Sequence, residues 1–200
     1  MEETGIIRTY YDTKNKMLKE IYFLLNGKKE GIYKSYHESG ELMSEVNYIN
    51  DKIEGIYKMY YKSGAICCKI NYINNKKNGI YIYYSENEKL MTEGNYIDDK
   101  KEGTFKFYYE SGVLYYEVNY IDNKKQGILK VYYNNRKLHY EINYIDNKKN
   151  GNSKVYNINS VLCLDIDYIN DNIIEFNKHE QYDISQFPEY MLFLDRISNI

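Results

Sequence analysis

The 200-residue chain has no Trp, one Pro, one Ala, three Arg and three Cys. Three Cys is a small and odd number, so no disulfide framework holds the fold. No stretch approaches the ~18 consecutive apolar residues of a membrane-spanning helix. The first residues, MEETGIIRTYYDTKNK, contain no hydrophobic signal region, and nothing there marks secretion. Charge of one sign is also missing: 27 Lys and Arg face 29 Asp and Glu, for a net charge of -2. That balance argues against a dedicated nucleic-acid binder and against a polybasic membrane anchor. The expectation is a soluble, cytoplasmic protein.

Four residue types fill the space. Ile, Asn, Lys and Tyr account for 100 of the 200 residues, and Tyr alone for 27. All four have AT-rich codons, whereas Ala, Pro and Arg are GC-coded. A biased genome thus explains part of the composition. Leu, Ile, Val and Phe together make 49 of 200 residues, which clears the floor of roughly 20% below which disorder is expected.

The arrangement is not a matter of codons. Gly31, Gly55, Gly79, Gly103, Gly127 and Gly151 recur every 24 residues. Typical units read GIYKSYHESGELMSEVNYINDKIE and GTFKFYYESGVLYYEVNYIDNKKQ. An earlier unit starts at Gly5 and is two residues longer, with the extra residues near Asp12 to Lys16. Numbering columns 1 to 24 from each Gly, column 6 is Tyr in all six regular units (Tyr36 to Tyr156), as is column 18 (Tyr48 to Tyr168). Column 19 is always Ile, and column 12 is Leu or Ile.

Columns 2 to 7 and 12 to 19 are rich in Tyr, Ile and Val, which suit a pleated surface. Between them lie SG-type and DNKK-type stretches with turn chemistry. Each unit therefore reads as one β-hairpin. Facing column 7 with column 12 sets 5 against 14, 4 against 15 and 3 against 16. Lys34 then meets Glu45, Lys106 meets Glu117, Lys130 meets Glu141 and Lys154 meets Asp165. Cross-strand pairs of opposite charge contribute roughly 0.2–1 kcal/mol each. Alternation places columns 3, 5, 7, 12, 14 and 16 on an aromatic, apolar face. The Lys–Glu row, the Asn of column 17, the column-6 Tyr and the column-19 Ile take the other. On a regular strand Cys67 and Cys68 point to opposite faces.

The repeated pattern G-x-Y-x-x-Y-Y-x-S-G-x-L-x-x-E-x-N-Y resembles MORN repeats. It is most similar to the variant MORN arrays of YwqK-like proteins, a group associated with antitoxins. The resemblance covers residues 5–174, in seven units, and departs from the best-known consensus in lacking Trp and most internal Gly. It implies an all-β, single-layer antiparallel meander of stacked hairpins, and a role in scaffolding, protein binding or phospholipid contact rather than catalysis. Fourteen strands at about 4.8 Å make a sheet roughly 65 Å long.

The residues themselves offer little chemistry. His139 and Cys163 share column 13 in successive units, about 10 Å apart, too far to share a Zn²⁺ bound at about 2.0–2.3 Å. The three Cys read as small apolar residues. The carboxylates form a ladder with Lys rather than an acid–base pair, and no phosphate loop or nucleophile elbow occurs. No cofactor or metal site is expected, and the chain reads as a non-enzyme. Lys28-Lys29, Lys76-Lys77, Lys100-Lys101, Lys124-Lys125 and Lys148-Lys149 line one edge. Such a stripe would meet anionic headgroups at ~1 kcal/mol per residue. Neighbouring acids reduce the loops to a total near +2, so a solubilising edge is the stronger reading.

Residues 175–200 change texture. Pro188 suits the first turn of a helix, with Tyr190, Met191, Phe193, Leu194 and Ile197 on an apolar side, and a capping helix is predicted there. An exposed aromatic face is expected to dock a protein partner or a second copy through Tyr57, Tyr61, Tyr81, Tyr83, Phe105, Phe107, Tyr109 and Tyr133. The alternatives are an antitoxin that sequesters its toxin and a peripheral tether to anionic lipid.

Overall fold

The computed structural model describes residues 3–179 apart from 13 and 15. They form one antiparallel sheet of 18 strands, and no helix occurs among the described residues. The fold is the all-β meander of stacked hairpins that the 24-residue period predicts. Successive rows of the sheet pair antiparallel along the chain, from Gly5–Asp12 against Met17–Leu25 to Leu162–Ile169 against Asn172–Lys178.

The count exceeds the expected fourteen for two reasons. Lys28–Tyr36, Lys52–Tyr60 and Lys76–Tyr84 are continuous. Their counterparts later in the chain are interrupted, as in Lys100–Lys101 followed by Gly103–Tyr108, and so contribute two strands each in three units. The last strand, Asn172–Lys178, spans the expected array boundary at residue 174. The capping helix expected around Pro188 lies outside the described residues. Among the described residues, counting each interrupted strand once leaves fifteen rows, so the first and the last of them run in the same direction.

Two different turns join the rows. The DNKK-type turn holds two consecutive residues at positive φ, such as Asn50 at 51° and Asp51 at 65°, and Asp122 at 55° and Asn123 at 69°. This is the two-residue type I′ hairpin turn, which Asn and Asp tolerate best after Gly. The column-21 Asn or Asp then accepts a hydrogen bond from the backbone of the preceding unit, as in Lys77 N–H to Asp99 at 2.8 Å and Lys125 N–H to Asn147 at 2.7 Å. The SG-type turn closes with Gly40 N–H donating to the His37 carbonyl at 2.9 Å and His37 N–H to the Glu41 carbonyl at 2.8 Å. That is a tight turn ending in a left-handed residue, with Gly40 at φ 101°.

The expected register holds at columns 3 to 5. Tyr33 faces Val46, Lys34 faces Glu45 and Ser35 faces Ser44, and the same pattern recurs around Lys106–Glu117, Lys130–Glu141 and Lys154–Asp165. It fails at columns 7 and 12. In every regular unit the ladder shifts after column 5, so that Tyr36 faces Leu42 and Tyr108 faces Leu114. Column 13 is the extra residue of a β-bulge. The bulge moves Leu114 and its equivalents to the face of the column-6 Tyr. It also brings columns 13 and 14 to one face: the rings of Tyr115 and Tyr116 lie 5.2 Å apart and those of His139 and Tyr140 3.6 Å apart. Cys67 and Cys68 therefore share the aromatic face, contrary to plain alternation.

The core lies on that face and is uneven along the array. Its buried cluster runs from Phe105 to Tyr168 and includes Leu129, Val131, Ile142, Leu164 and Ile166.

Candidate interaction surface

The aromatic face is built by rows that cross the units. Column-18 Tyr rings meet column-3 rings edge to face: Tyr57–Tyr72 at 6.0 Å, Tyr81–Tyr96 at 5.8 Å and Phe105–Tyr120 at 5.3 Å. Column-7 Tyr hydroxyls donate to the backbone of the following unit. Tyr61 reaches the Tyr84 carbonyl at 2.8 Å, Tyr109 the Tyr132 carbonyl at 2.8 Å and Tyr133 the Tyr156 carbonyl at 2.9 Å. The other face has its own row, in which column-6 hydroxyls donate to carboxylates of the preceding unit, as from Tyr108 to Glu93 at 2.7 Å and from Tyr132 to Glu117 at 3.0 Å.

The eight residues expected to form the partner-binding face all lie on it, in different states. Phe105 is 1% exposed, and Phe107 stacks on Tyr116 at 4.1 Å. Tyr61, Tyr109 and Tyr133 are half-buried and use their hydroxyls to hold the next unit. Tyr83 sits beside Tyr61, with the hydroxyls 3.1 Å apart. Tyr81 is half-buried, and that burial pushes its hydroxyl pKa up to about 12. Tyr57 is half-buried on the wall of a cleft of about 460 Å³ in the earlier units. Tyr33, Tyr48, Tyr72, Met59 and Lys77 line the same cleft.

A family described as MORN repeat variants matches five tandem stretches, residues 29–50, 53–74, 77–98, 101–122 and 125–146. The chain belongs to the MORN repeat variant family. Each match begins at column 23 and ends at column 20, so it brackets one bulged hairpin and breaks at the type I′ turn. A search of curated proteins finds no match.

The MORN variant array splits each Lys pair. In three pairs the first Lys reaches an Asp of the next unit: Lys76–Asp98 at 3.5 Å, Lys124–Asp146 at 3.6 Å and Lys100–Asp122. The second turns onto the aromatic face because column 23 pairs with column 18, as Lys77 does with Tyr72. Its ammonium lies over rings: Lys77 is 5.1 Å from the centre of Tyr96, Lys101 4.8 Å from Tyr120, and Lys149 5.7 Å from Tyr168. Burial, and then Lys101 and Lys149, push Lys125 down to about 8. Reading each pair as one solvent-facing stripe missed this row. The type I′ turn, which keeps columns 18 and 23 opposite, was the available signal.

A second surface was also missed. On the opposite face the column-2 residues Ile32, Ile56, Ile80 and Ile128 are 61%, 55%, 63% and 52% exposed. Column 19 adds Ile73, Ile97 and Ile121. Glu45 lies between Lys34 at 3.2 Å and Lys58 at 3.5 Å, and so belongs to the charge ladder. His139 is stacked between Tyr133 at 3.9 Å and Tyr140 at 3.6 Å, and burial pushes it down to about 4. Among the described residues no group of three His, Cys, Asp or Glu is placed to hold a metal ion.

Proposed function

We propose that this MORN variant array is a non-enzymatic scaffold whose earlier units receive a protein partner on the aromatic face. One observation carries the reading. Columns 3 and 18, sealed from Phe105 onward, are only half-buried at Tyr33, Tyr48, Tyr57 and Tyr72, whose rings surround the cleft with Met59 and Lys77. Aromatic side chains with one wet edge are efficient anchors at interfaces. An antitoxin would use this cleft against its toxin, which is the narrower form of the proposal. A lipid tether has less support. The outer Lys of three pairs is matched by Asp, and the inner Lys lies on aromatic rings rather than toward a membrane plane.

The test places a photo-crosslinking side chain at Met59, in the cleft, and separately at Ile128, on the opposite face, in the native source. A defined adduct from position 59 and none from 128 supports the reading. The reverse pattern moves the contact to the Ile rows and overturns it.

A further inference from the structure

We propose that Cys67, Cys68 and the Met59 thioether form a binding site for a soft monovalent metal cation of the Cu(I) class. Adjacent residues of a regular strand point apart. Here the ladder pairs Met59 with Cys68 and Tyr60 with Ile66, which leaves Cys67 as the bulge residue. The same bulge puts both side chains of Tyr115–Tyr116 and of His139–Tyr140 on the aromatic face. The two thiols are thus side by side, on Cα atoms about 3.8 Å apart.

Their neighbours fix them from two directions. The Cys67 thiol lies near the Tyr61 hydroxyl, which donates to the Tyr84 carbonyl at 2.8 Å. Cys68 faces Met59 on one side and Tyr83 on the other. Directly opposed side chains have Cβ atoms about 4.5–5.5 Å apart, so the flexible Met59 chain is long enough to carry its sulfur to the Cys68 thiol. Cys68 is 5% exposed and Met59 37%, which gives a closed site with one open wall.

The donor set chooses the ligand. Thiolate and thioether sulfur favour Cu(I) over hard cations that need oxygen, and no carboxylate or imidazole joins these three sulfurs in a pairing. Thiols bind such a cation as thiolates, so binding releases protons to solvent. Cys163 is an internal control. It occupies column 13 like Cys67, but Leu164 stands beside it where Cys68 would be.

The test is an anaerobic titration of the reduced, full-length protein with Cu(I) in competition with bicinchoninate, repeated with Ag(I). The expected result is one metal per chain, with proton release and a near-ultraviolet sulfur-to-copper absorption. Cys67→Ser and Cys68→Ser each lose the competition, Cys163→Ser keeps it, and Met59→Leu weakens it at unchanged stoichiometry. Ser44 already occupies the column of Cys68, so serine there suits the fold, and circular dichroism of each variant checks it. Failure of the wild-type protein to compete, or wild-type binding retained in either Cys67→Ser or Cys68→Ser, overturns the site. Unchanged affinity in Met59→Leu overturns the three-sulfur arrangement.

Discussion

Units from Gly31 to Ile97 and units from Gly103 to Ile169 share a fold, a period and two invariant Tyr columns, yet they bury their aromatic face differently. Column 18 is Tyr in all of them. Tyr120, Tyr144 and Tyr168 are at most 4% exposed, whereas Tyr48, Tyr72 and Tyr96 are only half-buried. The residue is the same, so the difference lies in its companions. Column 3 holds Tyr33, Tyr57 and Tyr81 in the first group, and Phe105, Leu129 and Ser153 in the second. Column 5 changes from Ser35, Met59 and Tyr83 to Phe107, Val131 and Val155. Aliphatic side chains fill the later face closely, and Tyr keeps the earlier one partly wet. A repeat thus sets backbone and register, while a few variable columns decide which stretch is core and which is surface.

The largest test of this contrast compares one column in both halves. Ile142→Ala, from a site with 0% exposure, should cost about 3–5 kcal/mol in urea unfolding. Ile70→Ala, next to the cleft, should cost roughly 2 kcal/mol because water reaches the vacated space. Equal losses would break the distinction. Gly94→Ala probes the border. An added Cβ would sit 2.4 Å from the Phe105 ring, which leans into the space other units fill with column-16 side chains. Such overpacking should cost about 1–3 kcal/mol and raise the exposure of Phe105 to quenchers.

A smaller effect concerns pH. His139 is held down to about 4 in the folded state, against about 6.5 when unfolded. Between these values the unfolded chain binds more protons, so stability falls as pH drops through that window, by about 2 kcal/mol after allowance for partial exposure. His139→Gln should flatten the dependence in a thermal-melt series. The smallest effect should be the same in both halves. Glu88 at φ 58° and Arg136 at φ 69° stand where other units have Gly. Glu88→Gly and Arg136→Gly should each stabilise by about 0.5–1 kcal/mol in denaturant titrations, because the turn does not depend on the face.

Much of the fold was legible in the sequence, for a physical reason. A strict period places Lys34 and Glu45, or Lys130 and Glu141, at offsets that only one register joins, and the ladder confirms it. The bulge was less visible, since one extra residue is easily assigned to a loop. Its trace was there: Leu114, Tyr115 and Tyr116 are three consecutive apolar residues where alternation asks for one polar. Of the candidate surface, the membership of Tyr57 and Tyr83 in one face followed from alternation. The sealing of Phe105 did not, because burial depends on how neighbouring columns fill space across units. The inward turn of Lys77 and Lys101 was hidden by their exposed partners Lys76 and Lys100.

The direction of the two edge strands has a consequence for assembly. Gly5–Asp12 and Asn172–Lys178 run the same way because the described rows are odd in number. A second copy stacked head to tail would meet the first strand against strand in parallel, a ladder with slanted bonds and weaker pairing than every internal junction of the array. An antiparallel junction needs like edge against like edge, related by a two-fold axis, and each edge then serves once. Head-to-tail continuation of the described rows therefore gives up the antiparallel ladder that joins every internal row, whereas two-fold pairing of like edges keeps it.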